Sequence, residues 1–228
     1  MSALSFPEYG LLRSSESSWR RVGRFHKILL LIMLLACSFF ARGIYLQGKA
    51  IVAQQLLTFA WARFQLDGQA HKAWPWADGS PIAQLSIAGQ APLIILSGAT
   101  GNNLAFAPAW MVASSSFGEG GNSVIVAHND THFKLLKELQ TDSILTLNAY
   151  PDAQLYYQVI ATKIVHESDL SVLDVTDQEL LTLITCYPFT RTIRNSELRF
   201  VVVAKRIKKP VADLKLASLG IIPIPLIR

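Results

Sequence analysis

Residues 180–187 read L-L-T-L-I-T-C-Y, a short apolar run that ends near a cysteine and is followed at once by Pro188. Apolar and β-branched side chains favour a strand here, and the proline makes the chain turn after it. Seven similar runs share the same part of the chain, with turn clusters such as G-A-T-G-N-N (98–103) between them. The predicted strands are 82–87, 93–96, 104–106, 124–127, 144–150, 155–165, 180–185 and 198–207.

Eight short strands with no long helical pattern among them predict a mostly β domain, built as a closed barrel or a sandwich. One short helix is expected at residues 133–139, F-K-L-L-K-E-L. Its apolar residues, Phe133, Leu135, Leu136 and Leu139, have the spacing of a face that turns inward.

The composition favours one folded domain with an additional segment in front of it. The chain has 228 residues, of which 51% are hydrophobic and 16% charged, so disorder is excluded as a description of the whole chain. A chain of this length suggests one domain of roughly 150 to 200 residues, which leaves part of it for another purpose.

The additional segment is an apolar run at residues 28–41, I-L-L-L-I-M-L-L-A-C-S-F-F-A. Extended to residue 47, it reaches about the 20 residues that a membrane-spanning helix needs. We therefore predict a cytoplasmic basic N-terminus at 1–27 and a transmembrane anchor at 28–47. Since five basic residues lie in this flank, the net charge of +5 does not indicate a nucleic-acid-binding patch. These residues are Arg13, Arg20, Arg21, Arg24 and Lys27.

Two alternatives to an uncleaved anchor remain. A cleaved signal peptide has a short basic region and a small-residue cleavage site, whereas here the basic region is long and no such site follows. Residues 34–37, L-L-A-C, resemble a bacterial lipoprotein box, in which Cys37 becomes the lipidated N-terminus. The apolar run continues beyond that cysteine, which favours the anchor. All three alternatives export the remainder of the chain.

The segment at 48–80 is predicted to join the anchor to the β domain. Its residues 51–66 have helical spacing, and W-P-W-A-D-G-S-P at 74–81 is an extended lead-in. The β domain is then expected at 81–207. No function is assigned to the tail at 208–228, whose prolines argue against a second membrane span.

The exported part of the chain contains a single cysteine, Cys186, because Cys37 lies in the anchor. A lone exported thiol is an inert core residue, an intermolecular link or a nucleophile. Its place at the end of a strand favours the nucleophile, because a rigid element fixes the side chain while a loop exposes it. Such a thiol needs a proton donor or base and a group that stabilises the oxyanion.

His128 is the predicted histidine partner because it ends the run at 123–127 as Cys186 ends its own run. Together with His132 it forms an H-x-x-x-H pair, but zinc hydrolases need Glu after the first His and a helix beneath both. Residue 129 is Asn, so no metal site or cofactor is predicted and His132 is interpreted as structural. His166, among charged and polar neighbours, is interpreted as a solvated loop residue.

Arg199 is the predicted oxyanion partner. It begins the β-like run at 199–204, which can pair antiparallel with the strand of Cys186 and bring the guanidinium beside the thiol. Arg191 and Arg194 lie in the intervening segment and are interpreted as solvated, with Arg194 the weaker candidate for this role.

These motifs resemble the sortase family, the cysteine transpeptidases of the bacterial surface. The family signature T-L-x-T-C, followed by an Arg that opens the next strand, reads T-L-I-T-C at 182–186 with Arg199. The catalytic His of the family follows an apolar strand, as His128 does in V-I-V-A-H. The resemblance runs from about residue 45 to 206. Motifs W-P-W-A-D (74–78), L-A-F (104–106), G-N (121–122), D-T-H-F (130–133) and C-Y-P-F (186–189) are similar to single-pass sortases of Gram-negative, often marine, bacteria.

The chain departs from the family on both sides of the histidine. Sortases usually have Gly before it and often Arg after it, whereas this chain has Ala127 and Asn129. Both substitutions border the site without removing a reacting group, so they bear on rate and substrate preference.

The resemblance implies an eight-stranded sortase-like β-barrel with His128, Cys186 and Arg199 in one groove. It implies that Cys186 cleaves an L-P-x-T-G-like sorting signal between Thr and Gly through a thioester and transfers the acyl group to an amine. The expected partners are proteins with such signals, an amine acceptor of unknown identity and the cytoplasmic membrane. The alternatives are an exported cysteine peptidase, an L,D-transpeptidase, whose S-x-G-C-like loop is not found around Cys186, and a non-catalytic peptide-binding barrel.

Overall fold

The computed structural model describes residues 16–149, 153–190 and 196–210. The predicted strand at 144–150 therefore extends one residue beyond a described segment, and most of the predicted tail lies outside the described residues. The elements in chain order are helix α1 (Glu16–Asp67), β1 (Pro81–Ile87), β2 (Leu93–Ser97), helix α2 (Gly101–Leu104), β3 (Ala109–Trp110), β4 (Asn122–Val126), 3-10 helix η1 (His132–Glu138), β5 (Ile144–Ala149), β6 (Ala153–His166), 3-10 helix η2 (Leu170–Leu173), β7 (Leu180–Tyr187) and β8 (Leu198–Ile207).

The eight strands form a closed barrel in the order β1-β2-β3-β4-β7-β8-β6-β5. Neighbouring strands are antiparallel except for β2 with β3 and β4 with β7, which are parallel. Closure removes the unpaired edges that an open sheet would expose. The predicted eight-stranded, mostly β architecture is confirmed.

Alternation along the strands builds the core of the barrel. In β1, Ala83, Leu85 and Ile87 are buried while the residues between them are half-buried, and β5 repeats the pattern with Leu145 and Leu147. Side chains on a strand alternate between its two faces, so each strand sends every second residue inward. The short helix predicted at 133–139 is the 3-10 helix η1, whose Phe133 and Leu136 are buried in this core, whereas Leu135 and Leu139 pack against it half-buried.

The chain divides into two compact units, residues 1–51 and 52–228. Helix α1 contributes to both, because no proline or other stop interrupts it where the sequence suggested two separate helices. Within the second unit, Leu57 is buried in a cluster with Leu96 and Ala109. The side chain of Gln54 donates a hydrogen bond to the carbonyl of Phe106 at 2.7 Å. The last turns of α1 thus belong to the packing of the barrel.

One predicted strand is wrong. Residues 104–106 were expected to be extended, but residues 101–104 form α2, whose first turn is capped by the Thr100 hydroxyl accepting from the backbone N–H of Asn103 at 3.2 Å. A cap of this kind satisfies a helix-end donor and favours the helical turn. The third strand lies instead at Ala109–Trp110.

Candidate active site

Cys186 and Arg199 lie directly opposite each other on β7 and β8. Residues opposite each other in an antiparallel pair project from the same face of the sheet, so the thiol and the base of the arginine side chain share that face. Cys186 is a free, exposed cysteine, whereas the preceding Thr185 is buried. The interpretation of Cys186 as an inert core thiol is therefore wrong.

His128 follows the end of β4, which runs parallel to β7. The last paired residues are Val126 and Ile184, and two residues further along each strand the chain reaches His128 and Cys186. Two bonds extend the pairing beyond the end of β4: Ala127 N–H donates to the carbonyl of Ile184 at 3.3 Å, and the Thr185 hydroxyl donates to the carbonyl of Ala127 at 2.7 Å. The three predicted site residues thus come from three neighbouring strands.

The loops that follow His128 and Cys186 are bonded to each other. The side-chain amide of Asn129 donates to the carbonyl of Pro188 at 2.8 Å. The backbone N–H of Phe133 donates to the carbonyl of His128 at 3.0 Å, which joins that residue to the start of η1. Asn129, one of the departures from the sortase pattern, therefore has a structural bond of its own at the rim of the barrel.

The guanidinium of Arg199 is held by three acceptors. Its Nη2 forms an ion pair with the carboxylate of Glu167 at 2.5 Å. Its Nη1 donates to the carbonyl oxygens of Ser196 at 2.7 Å and Leu198 at 3.0 Å. Because Arg199 is only 28% exposed, the group has a defined orientation rather than a freely solvated one.

His132 lies half-buried at the start of η1, close to His128. Burial lowers the pKa of His132 below 6.5, the electrostatic effect of the nearby His128 lowers it further, and Asp130 acts in the opposite direction. At neutral pH the lowered pKa favours the uncharged imidazole of His132, whose interpretation as a structural residue stays a prediction.

The remaining candidates contact other groups or lie outside the described residues. His166 ends β6, is exposed, and contacts the carboxylate of Glu197 at 3.1 Å and the hydroxyl of Ser168 at 2.7 Å. Arg191 and Arg194 lie outside the described residues. Within the described ranges, no group of three or more His, Cys, Asp or Glu side chains has the arrangement of a metal site.

Sequence reasoning did not find Glu167. The residue follows β6 in a polar segment, 32 positions before Arg199, and the sequence alone does not indicate which loop carboxylate reaches the arginine. The contact follows from the pairing of β6 with β8, which places the segment after β6 beside the beginning of β8. The sequence pattern does not indicate this pairing, because the two strands are not consecutive.

The fold and these side chains define a class of protein: a closed β-barrel that presents cysteine, histidine and arginine at the ends of neighbouring strands. A thiol can attack an acyl group, an imidazole can transfer protons, and a guanidinium can donate hydrogen bonds to an oxyanion.

Comparison with known proteins identifies the family within this class. The family model for the sortase domain matches residues 86–207, more than half of the chain. The chain belongs to the sortase family of cysteine transpeptidases. Sortases act on sorting-signal substrates and amine acceptors. The comparison with curated proteins found no match.

Solved structures agree with this assignment. Sortase A from Corynebacterium diphtheriae is 26% identical, with a TM-score of 0.54 over 62% of this chain and 67% of that one. A Clostridium perfringens sortase D5 transpeptidase is 20% identical, with a TM-score of 0.56 over 69% and 99% of the two chains. Sortase C from Clostridium perfringens SM101, at 20% identity, gives a TM-score of 0.52 over 71% and 91%. The last two similarities concern the fold alone.

Proposed function

We propose that this sortase cleaves an L-P-x-T-G-like sorting signal between Thr and Gly and transfers the new acyl end to an amine. The observation that supports the proposal most directly is the register of the barrel. Cys186 pairs with Arg199, and His128 leaves the parallel neighbouring strand at the same level. One thiol, one imidazole and one guanidinium are the groups that acyl transfer through a thioester requires.

In the first half of the reaction, the thiolate of Cys186 attacks the carbonyl carbon of the signal threonine. The negative charge that develops on the carbonyl oxygen is stabilised by N–H groups of Arg199. As the intermediate collapses, the bond between carbon and the glycine nitrogen breaks. His128 gives its proton to that nitrogen, so the glycine part leaves as a neutral amine and a thioester remains on Cys186.

In the second half, an amine enters the site left by the glycine part and attacks the thioester carbon. His128, now neutral, takes the proton that the attacking nitrogen loses, and the Cys186 thiolate leaves. The product is a new amide, and both enzyme groups return to their starting protonation states. Arg199 stabilises the second oxyanion as it did the first.

The proposed setting is the cytoplasmic membrane, with the barrel in the periplasm or outside the cell. Residues 28–47 would anchor the chain, and the cytoplasmic side would carry the basic flank. The motifs at 74–78 and 130–133 support a sortase of the single-pass Gram-negative type. Anchoring keeps an enzyme beside substrates that are themselves tethered to the membrane.

The test is mass spectrometry of the full chain in detergent micelles, first with an L-P-x-T-G-type peptide and then with oligoglycine. We expect a peptide-sized adduct on Cys186 that oligoglycine discharges into a ligated product. Cys186→Ala should lose both signals. Cys37→Ser is the matched control, because it removes the chain's other thiol and should retain both.

Other outcomes contradict parts of the proposal. Cleavage without ligation, for any amine offered, would make the chain a peptidase. If wild type formed no adduct and bound the peptide as tightly as Cys186→Ala does, the protein would be a peptide-binding protein. An adduct on Cys37 rather than Cys186 would show that Cys186 is not the nucleophile.

A further inference from the structure

The carboxylate of Glu167 is the one acidic group that contacts Arg199 among the described residues. It accepts from Nη2 at 2.5 Å, while the two carbonyls of Ser196 and Leu198 accept from Nη1. A guanidinium carries five N–H groups in one rigid plane. Acceptors on two of its three nitrogens therefore fix both the position and the rotation of that plane.

The remaining donors are those available to a substrate. Nη1 carries two hydrogens and meets two carbonyls, and Nη2 carries two and meets one carboxylate oxygen. In the described part of the chain, Nε and the second Nη2 hydrogen have no acceptor. An arginine held in this way offers a fixed pair of donors, which is the preorganised form in which oxyanion stabilisation is strongest.

The position of Glu167 is itself set by the barrel. Its backbone N–H donates to the carbonyl of Glu197 at 2.6 Å, which continues the β6–β8 pairing past the end of β6. In that pairing Val165 lies opposite Arg199 and His166 lies opposite Leu198. The carboxylate therefore reaches the arginine from a strand end, and its backbone does not depend on the ion pair.

From this geometry we infer that Glu167 is a positioning residue, which orients the Arg199 guanidinium for the oxyanion. The inference rests on the proposed function of Cys186 and Arg199. The Glu167 side chain is 48% exposed, and an ion pair so exposed adds little to folding stability. Removing the carboxylate should then alter the site without unfolding the barrel.

The kinetic test compares variants of the full chain in the ligation assay. Glu167→Ala should lower kcat about tenfold with little change in KM, less than the loss of about 100-fold or more expected when Arg199→Ala removes the donor itself. Glu167→Gln retains an oxygen acceptor and should keep kcat within about threefold of wild type, since the orienting bond survives. Glu197→Ala is the matched control, because this neighbouring exposed carboxylate contacts His166 instead of Arg199.

A double-variant cycle separates positioning from a general structural effect. In an Arg199→Ala background, Glu167→Ala should lower kcat no further, because no guanidinium remains to orient. An equal loss in both backgrounds would overturn the inference. It would also be overturned if Glu167→Ala kept the wild-type kcat, or if Glu167→Gln were faster than wild type.

A second measurement does not depend on turnover. Phenylglyoxal modifies accessible guanidinium groups, and peptide mass spectrometry gives the rate at Arg199. Glu167→Ala should raise this rate, whereas Glu167→Gln and Glu197→Ala should not; equal rates in all four chains would overturn the inference. If wild type formed no adduct on Cys186 yet the Arg199 rate rose as expected, the proposed function would fail while the contact stood.

Discussion

His132 is a half-buried imidazole at the start of η1, and its pKa is lowered. Burial is the largest cause of its lowered pKa, and the electrostatic effect of His128 acts in the same direction. A histidine whose pKa is lower in the folded than in the unfolded chain binds fewer protons when folded. Stability is then complete above the unfolded pKa of about 6.5 and falls as the pH drops below it.

We therefore expect His132→Gln to flatten the pH dependence of stability. Between pH 7 and pH 5 the melting temperature of wild type should fall more steeply than that of the variant, because the variant has no imidazole to charge at this position. Lys134→Gln, a change in the same 3-10 helix that leaves both histidines in place, should retain the wild-type slope. Parallel curves for wild type and His132→Gln would show that the half-buried imidazole does not set the acid sensitivity.

The residues of the candidate site that lie at strand ends could be predicted from the sequence. Cys186 and Arg199 were expected to meet because two β-like runs joined by one loop favour an antiparallel pair, and the register places them opposite each other. Glu167 could not be predicted in this way. Its contact with Arg199 depends on the pairing of β6 with β8, which are not consecutive strands.

At the scale of elements, the lead-in to β1 is packed tightly against the end of β2. The backbone N–H of Ser97 donates to the carbonyl of Ser80 at 2.9 Å. Asn103, buried in α2, donates from its side-chain amide to the carbonyls of Ser97 at 3.0 Å and Gly98 at 2.7 Å. A Cβ on Gly79 would overlap both the Ser97 carbonyl and this amide. Position 79 therefore requires glycine, because the neighbouring atoms leave no room for a Cβ.

Gly79→Ala should consequently destabilise the barrel. Overpacking of this kind costs about 1–3 kcal/mol. A domain of this size loses about 2–4 °C of melting temperature per kcal/mol. Gly101→Ala is the matched control, since a Cβ there has nothing within 4 Å and should change stability by less than about 0.5 kcal/mol. Thermal unfolding of both variants measures the difference, and equal melting temperatures would contradict the packing argument.

Most strands could be predicted from the sequence, because alternating apolar and polar residues, or a continuous apolar run, indicate a strand that faces a barrel interior. The error at 104–106 has a local cause: the Thr100 cap and the bonds of Asn103 favour a helical turn over an apolar triplet. Strand β3 has only two residues, Ala109 and Trp110, too few to show any period. Strand β3 pairs with β2 and β4 because the sheet closes into a barrel. Closure depends on contacts between distant parts of the chain, so a local sequence pattern does not indicate it.

At the scale of the whole molecule, the described part of the first compact unit contains a long run of exposed apolar side chains. Residues 28–35 are all hydrophobic and exposed, and His26–Asp67 is long and apolar enough to contain a membrane span. A signal sequence near an N-terminus meets the same criterion. Exposed leucine and isoleucine in such number are more stable in lipid than in water, so this run is a candidate membrane span.

The three alternatives for this unit give different mature chains. An uncleaved anchor predicts that the full chain stays with the membrane after an alkaline carbonate wash and retains its full mass. A chain that begins at Val52, the start of the second compact unit, should then be released, because the apolar run is gone. Cys37→Ser should behave as wild type.

Two other outcomes would contradict the anchor. A mature protein that begins at Cys37 and carries the mass of an added lipid would establish a lipoprotein, provided that Cys37→Ser abolishes this product. Loss of the apolar run from a mature wild-type chain without lipid would identify a cleaved signal, and the enzyme would then reach its substrates without an anchor of its own.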